Sequence, residues 1–289
     1  FADNGYTFGY YREMAPCYLA WAALLQGVVA PTRNFRYVDL GCGQGLGLIL
    51  QAACHPDSEF VGVDFMPSHI AHARRLAQAG GISNVRFVEG DFTALQNDPS
   101  TLVDATGAPL DGQADYVVAH GIASWVSPSV RASLWALAGR LLKPGGLHYT
   151  SYNTEPGWLA AKPFQHLVML RQGQGRTGAQ ALRSGMDTFA ALDAAKSKIY
   201  ATFTTLKPRL DAAASQDIAY LTQEYNNRYW EPLRVSDMMA AASAAKLDWV
   251  GSATLPEQFG NLLPAEIAKI IDSESDPVLR ETVRDLAVV

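Results

Sequence analysis

Cysteine is scarce in this chain of 289 residues: there are three, Cys17, Cys42 and Cys54. An odd, sparse set excludes a disulfide framework, and its spacing fits no metal site. The thiols therefore read as reduced, as in a cytoplasmic protein. Charge is also thin, at 18% of residues, and the net charge is −5. That balance argues against general nucleic-acid binding, which draws its affinity from neutralised phosphates. Long apolar runs are missing too. The longest near the start, residues 18–30, is broken by Gln26 and Gly27 and falls short of the roughly 20 apolar residues of a membrane span. No basic n-region precedes it, so neither a membrane segment nor a signal peptide is expected. Apolar side chains are plentiful, at 48% of the chain. That suits one large domain, or a domain with an insertion.

Residues 36–150 alternate short apolar runs with helical stretches. Tyr37-Val38-Asp39-Leu40 reads as a strand ending in glycines, and 46–54 as the helix after it. Phe60-Val61-Gly62-Val63-Asp64 is a second strand, followed by an Ala- and Arg-rich helix over 67–79 closed by Gly80-Gly81. Residues 85–88 and 116–119 form the third and fourth strands. A helix over 129–142 ends at Pro144-Gly145-Gly146, and 147–152 form the fifth strand. This alternation implies an α/β fold, a mostly parallel sheet with helices on both faces.

From Pro156 to about Arg234 the pattern is helical only, with 158–171, 180–195 and 218–226 the best helices. A helix over 235–245 and a strand over 247–254 then return the chain to the sheet. The expected organisation is an N-terminal helical cap at 1–30, a ligand-binding sheet domain at 31–156 and a helical insertion after the fifth strand at 157–234. Residues 235–289 supply the return to the sheet and a C-terminal helix. An insertion of that size carries specificity, acts as a lid, or offers a homodimer surface. Residues 157–210 hold eight Lys/Arg against Asp187 and Asp193, a net +6. They form either a solvated helical face or a surface for an acidic partner.

The loop after the first strand reads Asp39-Leu40-Gly41-Cys42-Gly43-Gln44-Gly45-Leu46-Gly47. Glycines here permit a tight turn and close backbone approach to a ligand, and the following helix N-terminus offers unpaired N–H groups. A dinucleotide fingerprint needs G-x-G-x-x-G, and Leu46 stands where its last glycine would be. Asp64 ends the second strand 25 residues after Asp39, with Phe65 beside it. An acid at that place accepts hydrogen bonds from ribose hydroxyls. It could equally be an ordinary strand-end carboxylate, but the glycine loop at this distance favours the ribose. Glu89-Gly90-Asp91-Phe92 ends the third strand. His69 and His72 lie three apart on one helix, with no further ligand nearby in sequence, so no metal is expected.

The G-x-G-x-G spacing preceded by an acid resembles that of class I methyltransferases that use S-adenosylmethionine (SAM). Leu141-Leu142-Lys143-Pro144-Gly145-Gly146 ahead of the fifth strand is similar to the same class. Three further stretches narrow the likeness: Ala119-His120-Gly121-Ile122-Ala123-Ser124-Trp125-Val126, Ser151-Tyr152-Asn153-Thr154-Glu155-Pro156-Gly157-Trp158, and Glu224-Tyr225-Asn226-Asn227-Arg228-Tyr229-Trp230-Glu231-Pro232-Leu233. Together they resemble bacterial methyltransferases with a methyltransferase regulatory domain, a group that includes protein-lysine methyltransferases. The likeness runs from Tyr6 to about Arg284, although the usual final sheet hairpin is not evident. It implies a Rossmann-like domain with SAM as cofactor, held by Tyr11, Asp39, Gly41, Cys42, Gly43, Gly45, Asp64, Phe65, Asp91, Phe92 and His120. Asp91 and Phe92 take the place that meets the adenine.

Methyl transfer is an in-line displacement in which the protein mainly aligns the partners. His120, just past the fourth strand, is the first candidate for a base or a substrate-positioning group. Tyr152 and Glu155, after the fifth strand, are candidates for the mouth of the same site. With Trp125 they would give a lysine nucleophile a carboxylate and an aromatic rim. Tyr6, Tyr10 and Tyr11 form an aromatic cluster that either closes over the methionine end of the cofactor or packs the cap on the sheet. The acceptor, whether a protein, a glycan or a small molecule, is not specified by these residues. A SAM-binding regulatory module without turnover is the competing expectation.

Overall fold

Five strands form a single all-parallel sheet: β1 (Arg36–Leu40), β2 (Glu59–Asp64), β3 (Val85–Glu89), β4 (Ala114–Ala119) and β5 (Leu142–Thr150), in the order β3-β2-β1-β4-β5. The computed structural model describes residues 9–104 and 106–288, so Tyr6 lies outside the described residues. The described chain divides into two compact units, one of residues 153–233 and one of 9–152 with 234–288.

In the sheet unit both faces of every central strand are buried. Tyr37, Phe60, Tyr116 and Val118 pack on one face against helices α1 (Pro16–Leu24), α2 (Leu46–Cys54) and α3 (Pro67–Ala79). Val38, Leu40, Val61, Val63 and Val117 point the other way, against α4 (Phe92–Asn97) and α5 (Pro128–Leu141). A parallel sheet covered on both sides needs apolar side chains at successive positions, which is why these strands read as continuous apolar runs. The two buried tyrosines keep their hydroxyls satisfied: Tyr37 donates to the Met14 carbonyl at 2.7 Å and Tyr116 to Pro31 at 2.6 Å. Helix starts follow local chemistry. Pro67 and Pro128 sit in the first turns of α3 and α5, Ser127 caps α5 by accepting from the Val130 N–H, and Asp91 caps α4.

In the sheet unit, two expectations fail. The Pro144-Gly145-Gly146 turn does not precede the last strand but lies within it. β5 pairs Leu142 with Ala114, then resumes at Leu147 opposite Tyr116. The extra residues form a bulge, with Gly145 at φ 82°. Residues 247–254 form no strand, so the sheet does not resume after the insertion. Their polar groups meet α1 and the following turn instead: the Tyr18 hydroxyl donates to the Ala253 carbonyl at 2.8 Å, and Ser252 donates to Glu257 at 2.6 Å. Apolar alternation there reflects packing, not a ladder.

The unit of residues 153–233 holds α6 (Glu155–Trp158), α7 (Lys162–Gln172), α8 (Gly178–Ala194), α9 (Ile199–Thr202), α10 (Leu206–Ala213) and α11 (Ile218–Tyr225). The expected single helix over 158–171 is broken after α6 by a 3-10 turn at Leu159–Ala161. Pro163 lacks the N–H that would continue the ladder, so α7 restarts around it. Phe164 is fully buried, edge-on to Phe189 at 5.4 Å and Tyr225 at 5.0 Å. Part of the segment's basic excess is spent inside the unit. Arg171 bonds the Ser184 carbonyl and Thr188, Lys207 pairs with Asp193 at 2.8 Å, and Arg209 lies 3.9 Å over the Trp158 ring while donating to the Gly157 carbonyl.

Burial pushes the Glu224 carboxyl up to about 7, partly offset by the nearby Asn153 amide and Arg209. Its raised folded-state value means that stability is full below about pH 4.5, falls as pH rises to about 7, and is flat above. Glu224→Gln should remove that slope and raise stability at pH 8 by roughly 2–3 kcal/mol. Urea unfolding at pH 5 and pH 8 measures it, and an unchanged slope in the variant refutes the assignment.

Chain order in the sheet reverses between β1 and β4, and the C-terminal ends of these strands frame the crevice where such sheets bind ligands. Three helices, α12 (Val235–Ala244), α13 (Ala265–Asp272) and α14 (Pro277–Val288), complete the sheet unit. Among the described residues, no helix is long and apolar enough to cross a membrane.

Candidate active site

The glycine loop leaves β1 in a conformation only glycine adopts easily: Gly41, Gly43 and Gly45 have φ of 95°, 54° and 78°. A Cβ on Gly45 would stand 2.7 Å from both the Ala73 methyl and the Phe87 ring, and one on Gly41 would strike Ile122. The Gly41 and Cys42 N–H groups both donate to the Val63 carbonyl, at 2.8 and 3.0 Å, tying the loop to β2. Gly45→Ala should therefore cost roughly 2–4 kcal/mol, from left-handed strain plus overpacking. Thermal melting measures the loss, and a melting temperature within a degree of wild type contradicts it.

Two carboxylates flank this loop. Asp39, 4% exposed on β1, has an Oδ1 with no hydrogen-bond partner. Burial, and then the charge of Asp64, push its carboxyl up to about 7. Asp64 closes β2. Its Oδ2 accepts from the Gly43 N–H at 3.0 Å, and its Oδ1 from the Met66 N–H at 2.8 Å, with His69 Nδ1 at 3.2 Å. A carboxylate has about four acceptor sites, so Oδ2 keeps one for an incoming hydroxyl. The Cys42 thiol, also in the loop, is pushed well up by burial and the two aspartates, which leaves it unreactive. Phe65, beside Asp64, is 62% exposed.

Past β4, the His120 ring is stacked by Tyr11 at 4.0 Å between centroids, and its Nδ1 lies 3.1 Å from the Tyr149 hydroxyl. Burial lowers the protonation of His120, and Glu13 offsets this in part. Burial, then Glu13, holds the Tyr149 phenol protonated far above its ordinary range. Tyr10 accepts from Gln51 Nε2 at 3.2 Å, so it packs on α2.

The structure thus brings Asp39, Gly41, Cys42, Gly43, Gly45 and Asp64 together, and Tyr11 with His120. Other sequence candidates have further contacts of their own. Asp91 spends Oδ1 on the Thr93 and Ala94 N–H groups, and Phe92 packs half-buried against the α4–α5 core. Tyr152 lies among Glu257, Glu281 and Asp285, and its phenol is raised by burial first and by these acids second. Glu155 belongs to the other compact unit, where its N–H donates to the Leu233 carbonyl. Sequence reasoning missed Glu13 and Tyr149. Glu13 sits in a 3-10 turn with no motif. Tyr149 reaches His120 through the parallel register, which sets it opposite Val118, two residues before His120.

A glycine loop at the switch point of this sheet, a buried acid with one unpartnered oxygen beside it and a second acid at the end of β2 define a class I methyltransferase domain, the class whose methyl donor is SAM. The chain belongs to the methyltransferase domain family, whose model matches residues 31–204. Residues 217–289 match the predicted methyltransferase regulatory domain. An uncharacterized protein of Synechocystis sp. is 34% identical over 98% of this chain and 54% of its own length. The trans-aconitate 2-methyltransferase of Methylobacterium nodulans is 31% identical over 38% of this chain and 35% of that protein. The structure of PKMT2 from Rickettsia typhi in complex with AdoHcy superposes with a TM-score of 0.80 at 25% identity, over 97% of this chain and 52% of that one. The chain therefore spans about half the length of the Synechocystis and Rickettsia proteins.

The residues fit the cofactor. The unpartnered Asp39 oxygen and the free acceptor site of Asp64 offer two anionic positions, and the first-turn N–H groups of α2 have no partners within the helix. A zwitterionic amino acid joined to a nucleoside presents the ammonium, carboxylate and ribose hydroxyls that such groups take.

Proposed function

We propose that this chain transfers the methyl group of SAM to a nitrogen or oxygen nucleophile, with a protein lysine as the leading acceptor. The observation that carries the reading is the Gly41–Gly45 loop held to Asp64 through the Gly43 N–H, with the Asp39 Oδ1 unpartnered beside it. When bound, the cofactor supplies an electrophilic methyl on a sulfonium, which departs as a neutral thioether. This chain's own residues do the positioning. Asp64 receives the ribose hydroxyls, and Asp39 faces the cofactor's ammonium. The α2 N-terminus receives its carboxylate, and Phe65, Asp91 and Phe92 bound the adenine side. Tyr11 and His120 line the opposite wall, toward the acceptor.

A lysine acceptor is supported by the likeness to PKMT2 over nearly the whole chain. Glu155 remains a candidate for the acceptor side, as does a location in the cytoplasm for the whole protein. Calorimetric titration with S-adenosylhomocysteine tests the cofactor. Radiolabelled SAM with a fractionated bacterial lysate then tests transfer and identifies the acceptor. Label that enters protein, survives alkaline hydrolysis of esters and disappears in Asp64→Ala supports lysine transfer. Binding heat without any transfer would favour a SAM-sensing regulatory module.

A further inference from the structure

The polar groups behind His120 are ordered. The Gly121 N–H donates to Ser151 Oγ at 2.8 Å, and Tyr149 Oη lies 3.1 Å from His120 Nδ1. A phenol and a neutral imidazole each carry one proton and can each donate or accept, so the direction of the second contact is set by where the phenol proton can go. Among the described residues, the Tyr149 hydroxyl makes its hydrogen bond with His120 Nδ1. If the phenol donates, its proton is satisfied there. If an Nδ1–H donated instead, the part-buried phenol proton would be left with no hydrogen-bond acceptor among the described residues.

We infer that His120 stands as a neutral imidazole with its proton on Nε2, so that it offers the ligand a hydrogen-bond donor and cannot serve there as a general base. The ring is held for that task. Tyr11 covers one face at 4.0 Å, Tyr149 engages Nδ1, and among the described residues no protein group bonds Nε2. Three groups face the imidazole: Glu13 from the 3-10 turn, Tyr11 beside it and Tyr149 from β5. Burial outweighs Glu13 and keeps the ring uncharged near neutral pH. Tyr149 is then a positioning residue that acts through His120. The donor suits a carboxylate or carbonyl oxygen, supplied either by the methionine end of the cofactor or by the methyl acceptor. Naming those sources rests on the methyl-transfer reading; the position of the proton does not.

Long-range 1H–15N spectra of the 15N-labelled protein at pH 7.5 test this directly. The His120 ring is assigned by its loss in His120→Gln. The expected pattern has Nε2 protonated and Nδ1 bare. In Tyr149→Phe, with folding checked by melting, that pattern should relax to a mixture of tautomers. A wild-type ring protonated on Nδ1, or doubly protonated, overturns the inference, as does a Tyr149→Phe ring identical to wild type. Adding S-adenosylhomocysteine or 5′-methylthioadenosine separates the two sources. Movement of the Nε2–H with the first alone assigns the cofactor carboxylate. Movement with neither, while calorimetry reports binding, assigns the methyl acceptor. Equal movement with both overturns the oxygen assignment. An absence of binding heat sinks the methyl-transfer reading and leaves the tautomer result standing.

Discussion

Asp64→Ala is expected to weaken S-adenosylhomocysteine binding at least 100-fold, or about 3 kcal/mol. The size follows from the number of groups that depend on one carboxylate. Asp64 accepts from the N–H groups of Gly43 and Met66, and keeps an acceptor site toward the crevice. Alanine would remove the partner of the ribose and also strand the buried Gly43 N–H, so the loop itself would lose definition. A hydrogen bond to a charged group is worth roughly 1.5–3 kcal/mol, and an abandoned buried donor costs roughly 1–3 more. Calorimetry on the folded variant measures the effect. A loss below fivefold would show that the ribose is held elsewhere.

Asp39→Asn should separate stability from function. The carboxyl titrates near 7 because its charge is buried and faces that of Asp64. The ionised form is therefore penalised in the folded protein: stability is full below about pH 4, falls as pH rises to about 7, and stays low above. The whole penalty is at most roughly 4 kcal/mol. Asparagine cannot ionise but brings an N–H in need of an acceptor, so the net gain at pH 8 should be about 1–3 kcal/mol. Cofactor binding should meanwhile fall at least tenfold, because the ammonium loses its counter-charge. Chemical unfolding at pH 5 and pH 8, paired with calorimetry, reads both. A variant that is less stable at pH 8 and binds normally would contradict the argument on each count.

How far these features were legible in the sequence depends on whether their cause was local. The loop and Asp64 could be read because glycine at positive φ and an acid at a strand end are written into neighbouring residues. The central strands β1, β2 and β4 could be read because burial on both faces makes them largely apolar. Residues 247–254 misled for the same reason: Leu247, Trp249 and Val250 look like strand residues, yet no sheet edge meets them, and α1 takes its place. Asp91 also has a local role: its spacing to Thr93 and Ala94 makes it a helix cap, which takes one oxygen and leaves the other for a ligand. Tyr149 needed the inter-strand register, which no stretch of sequence contains.

The bond from the Gly43 N–H to Asp64 has a consequence for engineering. A design for cofactor analogues with modified sugars would start from the strand end proposed to meet the ribose, as though that corner were a module of its own. Here the same carboxylate sets the shape of the loop that would receive the amino-acid end. A redesign at position 64 would therefore change recognition at both ends of the cofactor, and selection for a new sugar would have to rebuild the loop in the same step.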